Sequence, residues 1–349
     1  MKNLLSLFFI SIVLLLNGCK DPKVNPTPPK QDAGFFVINE GGFNHGNASL
    51  GHYNPEDNTY TDKLFKAAND RVLGDVFQSF YFHQDKAFAI LNNSGYIEVM
   101  DTATFAEIDK IEGFNSPRNM LFIDDDKAYV SDLYANAISI VNLSSNTIAG
   151  TIPIPSWTEG MTMVSGKVFV VAPWDTRTRL KNQIYIIDPQ TDMLTDSITV
   201  GYDPIDITLD KQNNLWVYCR GSEDNNAYGG LYLIDPQTQS VKKNLPFSDY
   251  ESGISCKLAF NKSKDTLYFL KKDIYRLPIN SIVLPDNPIV FLEGKNSYGL
   301  GIYPENGDIV VSDAKDFVQK GTVFIYDSGG HLKTSFSAGV IPSGFVFME

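Results

Sequence analysis

The sequence predicts an all-β fold, a seven-bladed β-propeller closed by pairing of the C-terminal strand into blade one, and three observations lead there. A strand, turn and strand unit recurs about every 45 residues with no helical pattern inside it, the signature of a propeller in which each unit is one blade. Each unit centres on an aliphatic-aromatic run that ends in Asp or Asn and a tight turn. The first unit also lacks a strand that the last unit leaves spare.

The clearest copies are Ile184-Tyr185-Ile186-Ile187-Asp188-Pro189-Gln190-Thr191 and Leu231-Tyr232-Leu233-Ile234-Asp235-Pro236-Gln237-Thr238. Looser ones are Ile97 to Asp101, Ile138 to Asn142 and Val323 to Asp327, and degenerate ones begin at Ser49 and Ile274. Upstream of each lies a shorter strand: Phe35 to Ile38, Ala87 to Leu91, Ala128 to Ser131, Val168 to Ala172, Leu215 to Cys219, Thr266 to Leu270 and Asp308 to Ser312. In an Asp-Pro-x-Thr turn the Asp side chain caps its own reversal while Pro presets φ, so each such turn marks the passage from a blade's third strand to its fourth. The chain enters at a second strand, Phe35-Phe36-Val37-Ile38, with no inner strand before it. Ser343-Gly344-Phe345-Val346-Phe347 then supplies that inner strand and removes the free edges that invite aggregation.

Three regions follow: residues 1–18, a leader; 19–33, a tether; and 34–349, the propeller. Lys2 precedes an apolar run, Leu4 to Leu16, that ends at Asn17-Gly18-Cys19. The run is shorter than the ~20 residues of a spanning helix, which disfavours an N-terminal transmembrane anchor. This stretch resembles a bacterial lipoprotein signal peptide. The resemblance implies acylation and cleavage at Cys19, and two or more fatty chains would give a lasting membrane hold. Residues Lys20 to Gln31 carry Pro22, Pro26, Pro28 and Pro29 and read as an extended spacer. The Cys19-Lys20-Asp21 start is also similar to the signals that export Gram-negative lipoproteins to the outer face of the outer membrane. An ordinary tether facing the periplasm is the alternative.

The chain carries 29 Lys and Arg against 41 Asp and Glu, a net charge of −12. Removal of residues 1–18 takes one lysine and no acid, leaving −13. With no basic stripe to neutralise phosphate, nucleic acid is not an expected partner.

Signals for catalysis are thin. No Gly-x-Ser-x-Gly elbow occurs, and the histidines are His45, His52, His83 and His331 alone. His52 and His83 fall in strand-like contexts and His331 in a turn. Asp124-Asp125-Asp126-Lys127 reads as a solvated hairpin, because it lacks the alternating oxygen spacing and the Gly of a calcium loop. Cys219 and Cys256 read as buried free thiols, with a disulfide as the alternative in an oxidising compartment. No catalytic residue, metal ligand or cofactor is expected.

The loops of one rim stand out. Loops joining second to third strands, and those joining successive blades, emerge on the same face of a propeller. In order they contain Phe43, Asn44, His45, Asn93, Asn115, Tyr134, Trp157, Trp174, Arg177, Tyr202, Tyr228, Tyr250, Tyr298 and Phe317, with Asp132, Glu159, Asp203 and Glu251 interspersed. Turns on the opposite rim are short. A rim of aromatic and amide side chains suits a large, flat ligand with a polar edge: the rings give area at small entropy cost and the amides read the edge.

The repeat resembles bacterial surface propellers with Tyr-Val-Thr-Asn-type blades. Its opening, Ile38-Asn39-Glu40-Gly41-Gly42-Phe43 and then Asn47-Ala48-Ser49-Leu50, is similar to the first blade of lipoproteins that capture cobalamin beside an outer-membrane transporter. That resemblance implies a non-enzymatic surface protein that binds cobalamin or a related corrinoid and passes it to a TonB-dependent transporter. Two rivals remain at the level of sequence. One is a protein- or glycan-binding module using the same rim. The other is a metal-dependent lactonase or lyase, for which the sequence offers no convincing set of ligands converging on the axis.

Overall fold

A computed structural model describes residues 33–175, 181–248 and 255–347, with only the backbone of Trp174 and Asp175. The leader, Cys19 and the tether lie outside the described residues. The fold is all-β, a seven-bladed propeller with a single short α-helix, Leu64–Asn69, among those residues.

Blades two, three, four, five and seven are four-stranded antiparallel sheets in simple meander order, inner strand to outer. Blade two, for example, runs Phe77–His83, Lys86–Leu91, Tyr96–Asp101 and Glu107–Glu112. Blade one is completed from the other end of the chain. Pro342–Phe347 lies antiparallel to Phe35–Asn39, pairing Phe35 with Phe347, Val37 with Phe345 and Asn39 with Pro342. Backbone bonds Glu40 N to Ile341 O (2.8 Å) and Gly41 N to Val340 O (3.0 Å) extend the clasp. Asn39, fully buried, ties it to the last blade's outer strand: its Oδ1 accepts from Gly339 N at 2.9 Å while its Nδ2 donates to the Tyr60 hydroxyl at 2.9 Å.

Blade six departs from the four-strand expectation. It holds three strands, Lys257–Phe260, Thr266–Lys271 and Asp273–Pro278, with one bridge from Ile274 to Val290 in place of a fourth. The segment that would form it contains Pro285 and Pro288, which have no N–H to give to a ladder.

The apolar core is divided among seven clusters, each between two neighbouring blades. Side chains alternate across a strand, so the second strand of each blade feeds two of them. Phe35 and Val37 pack toward blade seven, Phe36 and Ile38 toward blade two. Burial on both faces explains why these strands read as unbroken apolar runs rather than as alternation.

The Asp-capped turns stand where the sequence puts them. Asp188 Oδ1 accepts from Gln190 N (3.0 Å), Asp235 Oδ1 from Gln237 N (2.9 Å) and Asp101 Oδ1 from Thr104 N (2.8 Å). Each turn closes on a left-handed residue, Phe105 (φ 56°), Asp192 (54°) and Gln239 (53°), and a bulge follows in the paired strand. Asp124-Asp125-Asp126 is likewise a hairpin, with Asp124 Oδ1 accepting from Asp126 N and Lys127 N. Cys219 and Cys256 are free and buried, in different interblade clusters.

Candidate functional site

The inner strands line a central channel that opens on the rim carrying the long loops. At that mouth lies a cavity of ≈ 620 Å³. Its polar wall is built by one recurrent device. Where four inner strands begin, register slips against the neighbouring strand: between Phe77 and Ser79, Pro117 and Met120, Pro204 and Asp206, and Ser297 and Leu300. A bulge bends its strand and re-aims the extra residue. Gln78, Arg118, Ile205 and Tyr298 thereby line the mouth, together with Glu40, Glu159, Asp206 and Lys257.

Several of these groups hold one another. Arg118 Nε donates to Glu159 Oε2 at 2.9 Å and its Nη1 to Gln78 Oε1 at 2.5 Å. Arg220 pairs with Asp203 at 2.7 Å. Tyr298 donates its hydroxyl to Glu40 Oε2 at 3.2 Å. Asp206 accepts from two backbone groups, Leu258 N (2.8 Å) and Ile207 N (2.9 Å).

Burial pushes the Glu40 and Asp206 carboxyls above their ordinary pKa values, with Lys257 opposing the shift in both. Burial works against the Arg118 charge, but Glu159 and Glu40 outweigh it and hold the guanidinium above its usual value. Glu40, Glu159 and Asp206 are thus acidic groups converging on the axis, of which sequence reasoning placed only Glu159 on the rim. Among the described residues no three His, Cys, Asp or Glu side chains are grouped to hold a metal ion.

Of the rim residues expected from sequence, Phe43, Glu159 and Tyr298 line the cavity itself. The exposed aromatic side chains among the described residues are Phe43 (65%), Tyr134 (58%), Tyr228 (52%) and Phe291 (68%), and the first three stand on this rim. Tyr134 meets Trp157 edge-on at 5.2 Å and Tyr298 meets Phe317 edge-on at 5.8 Å. Trp157 and Trp174 do not sit in free loops: Ser156–Trp157 and Trp174–Asp175 form a two-stranded ribbon with the tryptophans paired in register. Tyr202 is half-buried, its carbonyl accepting from Gly221 N at 3.0 Å. Arg177 and Tyr250 lie outside the described residues, as does Glu251.

The amides have a different employment. Asn93 Nδ2 donates to Asn44 Oδ1 (3.0 Å) and Asp75 Oδ2 (2.6 Å), and the His45 ring contacts Phe43 O at 2.9 Å, so Asn44, His45 and Asn93 brace the first loop against blade two. Asn115 donates its backbone N–H to Asp132 Oδ2 at 2.8 Å and leaves its side chain exposed. His52 is buried in a strand, and His83 stacks on Phe122 at 4.2 Å.

Propeller chains of known structure share this architecture at low identity. A quinonprotein alcohol dehydrogenase-like protein from Bacteroides thetaiotaomicron superposes with a TM-score of 0.69 at 14% identity, covering 90% of this chain and 78% of that one. Kuenenia stuttgartiensis hydrazine synthase gives 0.57 at 14%, over 74% and 85%. The dihydro-heme d1 dehydrogenase NirN, in complex with DHE, gives 0.57 at 11%, over 92% and 77%. These likenesses establish the fold alone. No curated protein matches the sequence. Residues 33–348 match the family described as Domain of unknown function (DUF5074), and over that span the chain belongs to it.

Proposed function

We propose that this propeller is a non-enzymatic binding protein, anchored by lipid at Cys19 on the outer membrane, that captures cobalamin or a related corrinoid on its long-looped rim and delivers it to a TonB-dependent transporter. A propeller fold fits a ligand- or protein-binding role. The observation that carries the narrower reading is the pattern of exposure: Phe43, Tyr134 and Tyr228 present exposed rings around a polar, open-mouthed channel. A broad macrocycle with amide arms would rest on the rings and turn its hydrogen-bonding groups to the channel and the loop edges. Rings are the groups that most often dominate such contacts.

The charge is consistent with a neutral or cationic ligand, since −12 overall would repel phosphate-rich ones. Membrane attachment and outward orientation rest on the sequence of residues 1–33. A direct test is colour. The full chain in detergent, mixed with cyanocobalamin and desalted, should keep the corrin absorbance; loss of all colour contradicts the corrinoid reading.

A further inference from the structure

Three charged groups at the channel mouth are only half used. Glu40 is 9% exposed and its carboxylate accepts from the Tyr298 hydroxyl alone among the described residues. Among the described residues Asp206 takes two backbone N–H groups and no cation within ion-pair distance. Lys257 lines the same mouth, acts electrostatically on both acids and makes no hydrogen bond or ion pair within 4 Å among the described residues. The neighbouring cations Arg118 and Arg220 already hold Glu159 and Asp203. The mouth therefore presents two acceptors and one donor, all desolvated in part and open to the same ≈ 620 Å³.

A ligand cation would satisfy the acids and leave Lys257 unmatched, while an anion would do the reverse. Either way a partly buried charged group keeps its desolvation penalty. A primary carboxamide satisfies both sides with one small neutral group, having two N–H donors and a carbonyl acceptor. One half of this arrangement already exists in the same mouth, where the Gln78 carbonyl accepts from the Arg118 guanidinium.

We propose that Lys257, Glu40 and Asp206 form a carboxamide-reading subsite, in which Lys257 donates to the amide carbonyl of a corrinoid arm and the two acids accept from its NH2. This inference rests on the corrinoid reading above and names the part of the ligand that enters the channel.

The test uses the full chain and two probes, cyanocobalamin and its monocarboxylic acids, in which one amide arm has become a carboxylate. Hydrogen bonds to charged groups are strong enough that Lys257→Met should weaken cyanocobalamin binding about tenfold or more. The acid derivative of the inserted arm should bind about tenfold more weakly than the amide, because Glu40 and Asp206 repel it. Glu40→Gln and Asp206→Asn should narrow that amide-over-acid preference, a change in selectivity that loss of fold would not produce. Each variant's melting curve checks folding independently. If wild type retains no cyanocobalamin, the corrinoid reading falls and this proposal with it. If wild type binds but discriminates no amide from acid, or Lys257→Met binds as wild type does, the subsite alone is overturned.

Discussion

Removing the last strand should open the ring, and the structure sets the scale. Deleting residues 342–349 strips Phe35–Asn39 of five register partners. At about 1 kcal/mol net per hydrogen bond, that ladder contributes roughly 5 kcal/mol. Phe345 and Phe347, half-buried, pack on Phe35 with ring centroids 5.7 and 5.5 Å away. Half of a full aromatic burial each adds about 2 to 3 kcal/mol in all. The sum, about 7 to 8 kcal/mol, rivals the ~5–15 kcal/mol by which a domain is stable. The truncated chain should therefore aggregate or fail to melt cooperatively. Phe35→Ala is the milder probe: the ring is 2% exposed and should cost about 3 to 5 kcal/mol. Urea unfolding followed by circular dichroism, with size-exclusion chromatography, reads both. Phe291→Ala, at a ring 68% exposed, should stay within about 0.5 kcal/mol of wild type. A truncation that remains monomeric and melts like the full chain would refute the clasp.

Further outcomes follow from particular groups. Arg71 pairs at 2.6 Å with Glu98, whose side chain is fully buried, so Arg71→Ala should cost about 3 to 5 kcal/mol by chemical denaturation, and the Arg71→Met, Glu98→Gln pair distinctly less; equal losses contradict this. Hydrogen bonds from Asn261, Ser263 and Thr266 push the Asp265 carboxyl down to about 2. Its contribution is complete above the unfolded value near ~3.9 and is lost as pH falls through the folded one, so Asp265→Asn should flatten the acid limb of the stability curve below about pH 4. An unchanged limb argues against it. Burial holds the Cys219 thiol up, and both thiols should resist Ellman's reagent until the protein is unfolded; fast labelling of the native protein would show that they are accessible. Cys19→Ala should abolish incorporation of labelled palmitate, and normal incorporation would end the lipoprotein reading.

The fold was legible because its signals are local or repeat. A missing strand at Phe35, a spare one at Ser343 and Asp-capped turns at one spacing suffice to count and close the blades. The absent fourth strand of blade six was written in Pro285 and Pro288, but the repeat pattern hid it. The site was less legible. Loop position brought Phe43, Tyr134, Tyr228 and Tyr298 to the rim. It also brought Asn44 and Asn93, whose side chains brace the loop, because sequence does not tell a solvent-facing amide from one bonded to Asp75. Arg118, Asp206 and Lys257 come from blades separated along the chain by many residues, and Arg118 reaches the axis through a bulge that has no signature in composition. The available hint was Pro117-Arg118 and Pro204-Ile205-Asp206, a proline opening an inner strand just before a charge.

Calorimetry with cyanocobalamin tests the central claim, that the long-looped rim is the binding face. Wild type should release heat on binding, and Trp157→Ala, which removes the ring that Tyr134 meets edge-on, should weaken affinity by roughly 2 kcal/mol or more. Gln190→Ala, in a turn on the opposite rim, should bind as wild type does. No heat from wild type, or equal affinity in all three proteins, would contradict the account.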